Sequence, residues 1–303
     1  MDWPALPYAD WADTCETLHL WTQIVGKIRM AKMPPINHWW HVTLYVTPCG
    51  IGTSMIPDDA RPFDMQFDFL AHRLVIATAD GSHREIALAP MTVADFYERV
   101  MRALGDLKID VRINTQPQEV ANPIAFDNDR QHKSYDPRAA QRFWRALVST
   151  SEVFTEFRSR FIGKVSPVHF FWGGFDLAVT RFCGRRAPKH APIDGVSYAM
   201  IQEAYSHECS SVGFWPGGNG FDAAYYSYTY PEPDAFSKGQ VKPAEASWNE
   251  TMHEFLLPYE AVRTAADPAA MLLDFCQSTY EAGANPAKWP RADLERGGTA
   301  NVA

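Results

Sequence analysis

The chain has 303 residues and a net charge of -8, with 46% hydrophobic and 21% charged residues. These proportions are typical of a compact folded protein and exclude extended disorder. The negative charge argues against binding to a nucleic-acid backbone or an anionic membrane surface, because both are polyanions. We therefore expect no nucleic-acid partner and no membrane partner.

Cysteine usage and the N-terminal residues indicate a cytoplasmic protein. The five cysteines are odd in number, far apart and without a CxxC pair, a pattern typical of reduced thiols. The N-terminus lacks the basic start and apolar run of a secretory signal. No apolar run approaches the roughly 18 residues of a membrane span.

The first half, residues 1–124, combines helical and strand patterns. Apolar residues at helical spacing predict a helix that is capped by Asp10 and runs to about Met33, where two prolines follow. Alternation of apolar and polar residues predicts strands at 41–47, 63–70, 73–79 and 84–88. Thr92 predicts the cap of a second helix, and a short strand at 111–113 is expected to end this half.

The second half, residues 137–303, repeats this order after a polar, turn-rich connector at 125–136. Asp136-Pro137 predicts the start of a helix, and strand patterns follow. We expect an α+β fold with antiparallel sheets packed with helices in two similar, tightly packed halves. Chance recurrence of α+β elements is the alternative. In related halves, the cleft between them is the natural ligand site, near 38–45 and 169–182.

The stretch EAYSHECSSVGFWPGG at 203–218 carries the strongest candidates for chemistry. As a strand, it projects Glu203, Tyr205 and His207 to one side and Glu208 to the other. This pattern predicts either the polar wall of a pocket or a solvated face. In the first case Glu203, His207 and Glu208 are the candidate acid/base catalysts, because neighbouring aromatic residues can shift their pKa toward the working pH.

The stretch at 166–188 adds a charged candidate. Gly173 and Gly174 predict a β-bulge, and beyond it Arg181 falls on an apolar strand face. Because an isolated buried charge is costly, Arg181 predicts either an ion pair with a carboxylate such as Glu203 or contact with an anionic ligand group.

Aromatic residues make up 13% of the chain, which predicts either a large aromatic core or an aromatic ligand cavity. The loop FWPGGNG at 214–220 is either an ordinary turn or a lid with Trp215 as its apolar plug. Three tyrosines on one strand face, Tyr226, Tyr228 and Tyr230, form a packed ladder or a surface for a flat ligand.

Four motifs carry a resemblance to a known family: NHWWHVTLYVT (37–47), SPVHFFWGGFDLAVTRFCGRRAP (166–188), EAYSHECSSVGFWPGG (203–218) and YYSYTYPEP (225–233). The sequence resembles a bacterial family of similar length that is catalogued only as a domain of unknown function. The resemblance covers nearly the whole chain. It implies no activity, cofactor or catalytic residue.

Together these patterns predict a protein that binds a small organic ligand, anionic or aromatic, in an aromatic-lined cleft, with cofactor-independent acid/base catalysis if it is an enzyme. The predicted ligand contacts are His41, His169, Trp172, Asp176, Arg181, Tyr205, Trp215 and Tyr228. One alternative is a non-enzymatic binding or protein-interaction module. The other is a metal-dependent enzyme that uses His169, Glu203 and His207, although no HExxH signature supports a metal. The sequence specifies no cofactor and no oligomeric state.

Overall fold

The protein has an α+β fold with two sheet-plus-helix parts. The computed structural model describes residues 2–59, 61–193, 196–218 and 220–297. Its helices are α1 (Ala12–Lys32), α2 (Val93–Asp106), α3 (Pro137–Ser159), α4 (Tyr198–Ala204), α5 (Tyr259–Arg263), α6 (Pro268–Ala284) and α7 (Arg291–Leu294). Among the described helices, none is both long and apolar enough to cross a membrane.

The small sheet is an antiparallel meander of five strands in the order β1-β2-β3-β4-β5. Its strands are β1 (Tyr45–Thr47), β2 (Gly50–Gly52), β3 (Phe63–Asp68), β4 (Arg73–Thr78) and β5 (His83–Ala87). Alternation holds on β3, where Phe63, Met65 and Phe67 are buried. Phe96 of α2 stacks against both Phe67 and Trp21 of α1. The core of this part therefore lies between the sheet and helices α1 and α2.

The large sheet has six antiparallel strands in the order β10-β11-β9-β8-β7-β6. Its strands are β6 (His169–Phe171), β7 (Asp176–Arg186), β8 (His207–Gly218), β9 (Phe221–Tyr230), β10 (Ser247–Asn249) and β11 (Glu254–Pro258). One face packs on α3 and α6. There Tyr225 of β9 shares a hydrogen bond with Thr150 of α3 at 3.1 Å, and Phe157 of α3 packs edge-on against Tyr280 of α6. The other face of the sheet is covered by the 3-10 turn at Asn37–Trp39 and by α4.

Backbone pairing joins the two parts. The amide of Leu44 donates to the carbonyl of Phe170, and the amide of Phe170 donates to the carbonyl of Leu44, both at 2.8 Å. Nearby, Trp172 Nε1 donates to the Val42 carbonyl at 2.8 Å. A Cβ at Gly26 of α1 would lie 2.2 Å from the indole of Trp172. Trp172, a predicted ligand contact, therefore packs between the two parts instead.

The N-terminal segment, residues 2–10, lies against the second half of the chain. The carbonyl of Asp2 accepts from Ser149 Oγ at 2.7 Å, and the carbonyl of Pro4 accepts from Tyr259 Oη at 2.9 Å. The amide of Tyr8 donates to Asp222 Oδ1 at 3.1 Å. The start of the chain is thus held by residues far away in sequence.

Three predicted strands differ from the structure. The strand predicted at 41–47 is reduced to β1, because a 3-10 turn at Asn37–Trp39 precedes it and residues 41–43 are irregular. Residues 111–113 have no strand partner. At 203–206 the prediction of a strand is wrong, since α4 runs to Ala204 and β8 begins only at His207.

The helix caps follow the local sequence. Thr92 Oγ1 accepts from the amide of Asp95 at 3.1 Å, and Asp136 Oδ1 accepts from the amide of Arg138 at 2.8 Å, as the sequence predicts. The first helix begins at Ala12 with no side-chain cap. All five cysteines are free thiols.

Candidate functional site

A cavity of about 550 Å³ lies on the face of the large sheet opposite to α3 and α6. Its floor is formed by β7, β8, β9 and β11. Its roof is formed by the 3-10 turn at Asn37–Trp39, by α4 and by the segment before α4. Because side chains alternate along a strand, Asp176, Ala178, Thr180 and Phe182 of β7 line the cavity while Arg181 faces the helices.

A tyrosine and a carboxylate form the polar centre of the floor. Tyr226 Oη of β9 donates to Asp176 Oδ2 of β7 at 2.5 Å, across the intervening strand β8. The tyrosine ring lies over Gly213, where a built Cβ would be 2.2 Å from Tyr226 Cζ. A side chain at position 213 would therefore displace the ring of Tyr226.

Three carboxylates border the same cavity: Glu119, Asp176 and Glu254. A Cβ at Gly174 would lie 2.7 Å from Asp176 Oδ1 and 3.6 Å from Glu119 Oε2, so this glycine leaves room for both groups. No lysine or arginine is among the lining residues in the described parts of the chain. The cavity is therefore acidic.

Burial gives these carboxylates unusual proton affinities. It raises the pKa of Asp176 to about 7, and the charge of Glu119 adds to the increase while the bond from Tyr226 opposes it. Burial and the charge of Asp176 raise the pKa of Glu254 to about 7. Burial also raises the pKa of Glu119. Near neutral pH, Asp176 and Glu254 thus lie between their protonated and ionised forms.

Aromatic side chains surround the acidic centre. Tyr226 stacks on Tyr228 with ring centroids 6.2 Å apart, and Tyr205 Oη donates to Tyr228 Oη at 3.2 Å. Tyr205 directly follows α4, so this bond attaches the roof to the floor. The remaining aromatic walls are Trp39, Trp40, Phe171, Phe182, Trp215 and Phe221.

The structure brings four of the predicted contacts together. Asp176, Tyr205, Trp215 and Tyr228 all line the cavity. Trp215, predicted in a loop, belongs to β8, which continues to Gly218. It therefore lies in a strand of the cavity floor and not in a loop.

The predicted acid/base residues do not share the cavity. Glu203 is an exposed residue in the last turn of α4. Glu208 Oε2 accepts from Arg185 at 2.6 Å and from the Cys183 thiol at 3.2 Å. His207 lies beside the roof, with its ring 5.8 Å from that of His38. The polar wall expected from these residues is not formed, because the predicted strand is divided between a helix and β8.

The predicted ion pair of Arg181 with Glu203 is absent from the described part of the chain. Arg181 is 1% exposed and lies on the helix side of the sheet. Its guanidinium stands 3.5 Å from the ring centroid of Phe157 and 4.5 Å from that of Tyr280, and it donates to the Phe157 carbonyl. Cation–π contacts and this bond replace the expected carboxylate.

The remaining predicted contacts lie behind the cavity wall. His169 is fully buried against Phe171, and burial lowers its pKa to about 3. His41 Nδ1 accepts from the amide of Ile36 at 3.2 Å. Within the described ranges, no group of three or more His, Cys, Asp or Glu side chains is arranged to hold a metal ion. The metal site of the alternative interpretation is therefore not formed by His169 and its predicted partners.

Two of the three carboxylates were missed by sequence reasoning. Glu254 opens β11, and its polar position at the start of an alternating run was the one available signal. Glu119 lies in the irregular segment between α2 and α3, where no periodicity relates it to Asp176. Tyr226 was recognised as part of a tyrosine row but not as the partner of Asp176.

Comparison with known proteins identifies a family, but one whose function is unknown. No curated protein and no solved structure was found to match the chain. The profile of the family of unknown function DUF5996 matches residues 3–296. With nearly the whole described fold covered by that match, the chain belongs to family DUF5996.

Proposed function

We propose that the cavity binds a small organic cation, an amine with an apolar or aromatic body. The observation that carries the proposal is the set of three carboxylates, Glu119, Asp176 and Glu254, in an aromatic cavity with no lysine or arginine among its described lining residues. An ammonium group would supply the positive charge that this set lacks.

The energetics favour such a ligand. Carboxylates removed from water without a cationic partner are costly to ionise, as the raised pKa values of Asp176 and Glu254 indicate. A bound ammonium offsets that cost because it interacts with the ionised forms. The rings of Trp215, Tyr226 and Tyr228 add cation–π attraction and cover the apolar body.

The same charges disfavour the anionic ligand expected from the sequence. An anion in this cavity would be repelled by Asp176 and its acidic neighbours. Arg181, the residue expected to hold it, lies on the other face of the sheet. We therefore propose a cation in place of an anion.

Isothermal titration calorimetry with three ligands of equal length tests this proposal. We expect octylammonium to bind, octanol to bind about a hundredfold more weakly and octanoate to bind more weakly still. In Asp176→Asn the preference for the amine should be largely lost. It should persist in Glu98→Gln, which removes an exposed carboxylate of α2 that is paired only with Arg102. Equal or tighter binding of octanoate to the unmodified protein would overturn the proposal.

Acid/base catalysis on the bound amine is a second candidate function. The observation that favours it is the pKa of about 7 for both Asp176 and Glu254, because a group that titrates near the working pH is an efficient general acid or base. Mass spectrometry of amines incubated with the protein would detect turnover. If Asp176 is the catalyst, Asp176→Asn should lower kcat more than it raises KM. Absence of turnover by both the unmodified protein and the variant would argue for binding alone.

A further inference from the structure

A second polar group lies at the end of the cavity away from Asp176. Lys164 Nζ donates to His38 Nε2 at 2.7 Å, and His38 lines the cavity. The ammonium of Lys164 also stands 5.3 Å from the ring centroid of Phe182 and 5.4 Å from that of Trp40. These contacts hold an exposed lysine at the rim, beside two rings of the cavity wall.

The backbone beneath this group is strained. His38 and Trp39 have φ angles of 57° and 62°, in the left-handed region that residues other than glycine seldom adopt. Two such residues in succession persist only where the surroundings hold them, and strain of this kind concentrates at ligand clamps. His38 Nδ1 donates to the carbonyl of Ala204 at the end of α4, at 2.9 Å. The strained turn is therefore attached to the helix that roofs the cavity.

The charge at this end is positive and unneutralised. Lys164 forms no ion pair with any carboxylate in the described ranges, and its partner His38 is a neutral acceptor. Burial, and then the charge of Lys164, lower the pKa of His38. The charges of Lys164 and Arg186 act in the same direction on His207, after burial. Lys164 is thus paired with the imidazole of His38 in place of an acid.

The acidic and basic ends are separated along the floor. Asp176 and Phe182 are six residues apart on β7, which corresponds to about 20 Å between their Cα atoms. Between them the cavity-facing positions of β7 are Ala178 and Thr180, which are small and uncharged. A single extended ligand fits this arrangement better than two separate ones, because the floor between the ends offers contact area but no charge.

We propose that Lys164 and His38 form an anion subsite, and that the cavity takes a zwitterion whose ammonium and acid groups are separated by an apolar spacer. The proposal rests on the proposed function, since it takes the ammonium to lie at Asp176. A ligand carboxylate would replace the neutral imidazole as the acceptor for Lys164 and would allow His38 to bind a proton and donate to it as well. Charge-assisted hydrogen bonds of this kind are stronger than the neutral one that they replace.

Matched ligand series separate the two proposals. Calorimetry would compare alkylamines with ω-amino carboxylates of the same length, from aminohexanoate to aminododecanoate. We expect a gain in affinity of about tenfold from the carboxylate at the best length, and little gain at the shortest. Lys164→Gln should remove this gain and leave the affinity for the alkylamine unchanged. Lys164→Arg should keep it.

One further variant serves as a control and another as a second test of the subsite. Lys133→Gln removes an exposed lysine that is not among the lining residues of the cavity and should leave the gain intact. His38→Asn should reduce the gain while it keeps the turn, because asparagine tolerates the left-handed region. Circular dichroism and thermal unfolding of each variant would confirm that it is folded.

The outcomes are distinct. If no alkylamine binds, the proposed function fails and this inference with it. If alkylamines bind but no carboxylate of any length improves the affinity, the proposed function stands and the anion subsite is wrong. A gain that survives Lys164→Gln would also overturn the subsite.

Discussion

The two sheets hold their carboxylates in opposite ways. On the small sheet, Asp68 and Glu85 lie around Arg73, at 3.8 and 2.9 Å from its nitrogens, on a face open to water. On the large sheet, Asp176 and Glu254 line a cavity without a basic neighbour among its described lining residues. Paired surface carboxylates are ordinary, whereas unpaired ones in a cavity reduce stability. The contrast is what the proposed binding of a cation would explain, because the acidic groups of the large sheet have no basic partner among the described lining residues.

The largest expected effect concerns ligand affinity. Replacing Asp176 by asparagine keeps an acceptor for Tyr226 but removes the charge. We expect about a hundredfold loss of octylammonium affinity, because removing one partner of a buried charge pair costs about 2–5 kcal/mol. Glu85→Gln on the small sheet should leave the affinity unchanged. Calorimetric titrations of both variants measure the difference, and equal losses would remove the distinction between the two sheets.

Substitutions at two glycines, one in the cavity floor and one in α2, compare how tightly the two parts of the protein are packed. Gly213→Val places methyl groups where the ring of Tyr226 lies, so we expect a loss of about 1–3 kcal/mol in the free energy of unfolding and a weaker Tyr226–Asp176 bond. Gly105→Ala in α2 is the control. Nothing lies within 4 Å of its Cβ position, and alanine is the better helix former by about 1 kcal/mol. Urea unfolding should therefore show opposite signs for the two variants.

The pH dependence of stability tests the burial of Asp176. Its pKa rises from 3.8 to about 7 on folding, so the folded state loses stability as the pH rises from about 4 to about 7. We expect Asp176→Asn to be more stable than the unmodified protein by about 1–3 kcal/mol above pH 7, with the advantage vanishing near pH 4. Urea unfolding across this range checks the sign. A constant advantage at every pH would exclude ionisation as its cause.

The smallest expected effect belongs to the small sheet. Glu85→Gln breaks an exposed pair with Arg73, and such pairs contribute about 0–1 kcal/mol. We expect a loss within this range at low salt that decreases as salt is added, because exposed charges are screened. A loss that salt does not change would show that this pair is less hydrated than its exposure indicates.

Local sequence patterns predicted those elements of the fold whose structure depends only on residues that are close in sequence. Alternation in 63–68 and the caps at Thr92 and Asp136 depend on neighbouring residues only, and all three appear in the structure. Residues 203–206 were wrongly assigned to a strand because the helix of seven residues that ends there is too short for its periodicity to be distinguished from alternation.

The candidate site was only partly predictable because it depends on strand order. Trp215 and Tyr228 stand out in the sequence as aromatic residues near strand patterns. The meeting of Asp176 with Glu254 requires the order β11-β9-β8-β7, which no local pattern specifies. Glu119 joins them from an irregular segment, so its place becomes visible only once the chain is folded.

The position of the N-terminal segment has a consequence for how the protein is made. Because Asp2, Pro4 and Tyr8 bond to Ser149, Tyr259 and Asp222, this segment cannot complete its final contacts until residue 259 has been synthesised. Proteins are synthesised at about 5–20 residues per second, so synthesis of Asp2 and of Tyr259 is separated by a time on the order of tens of seconds. The cavity, whose floor also requires β9 and β11, is completed in the same late step.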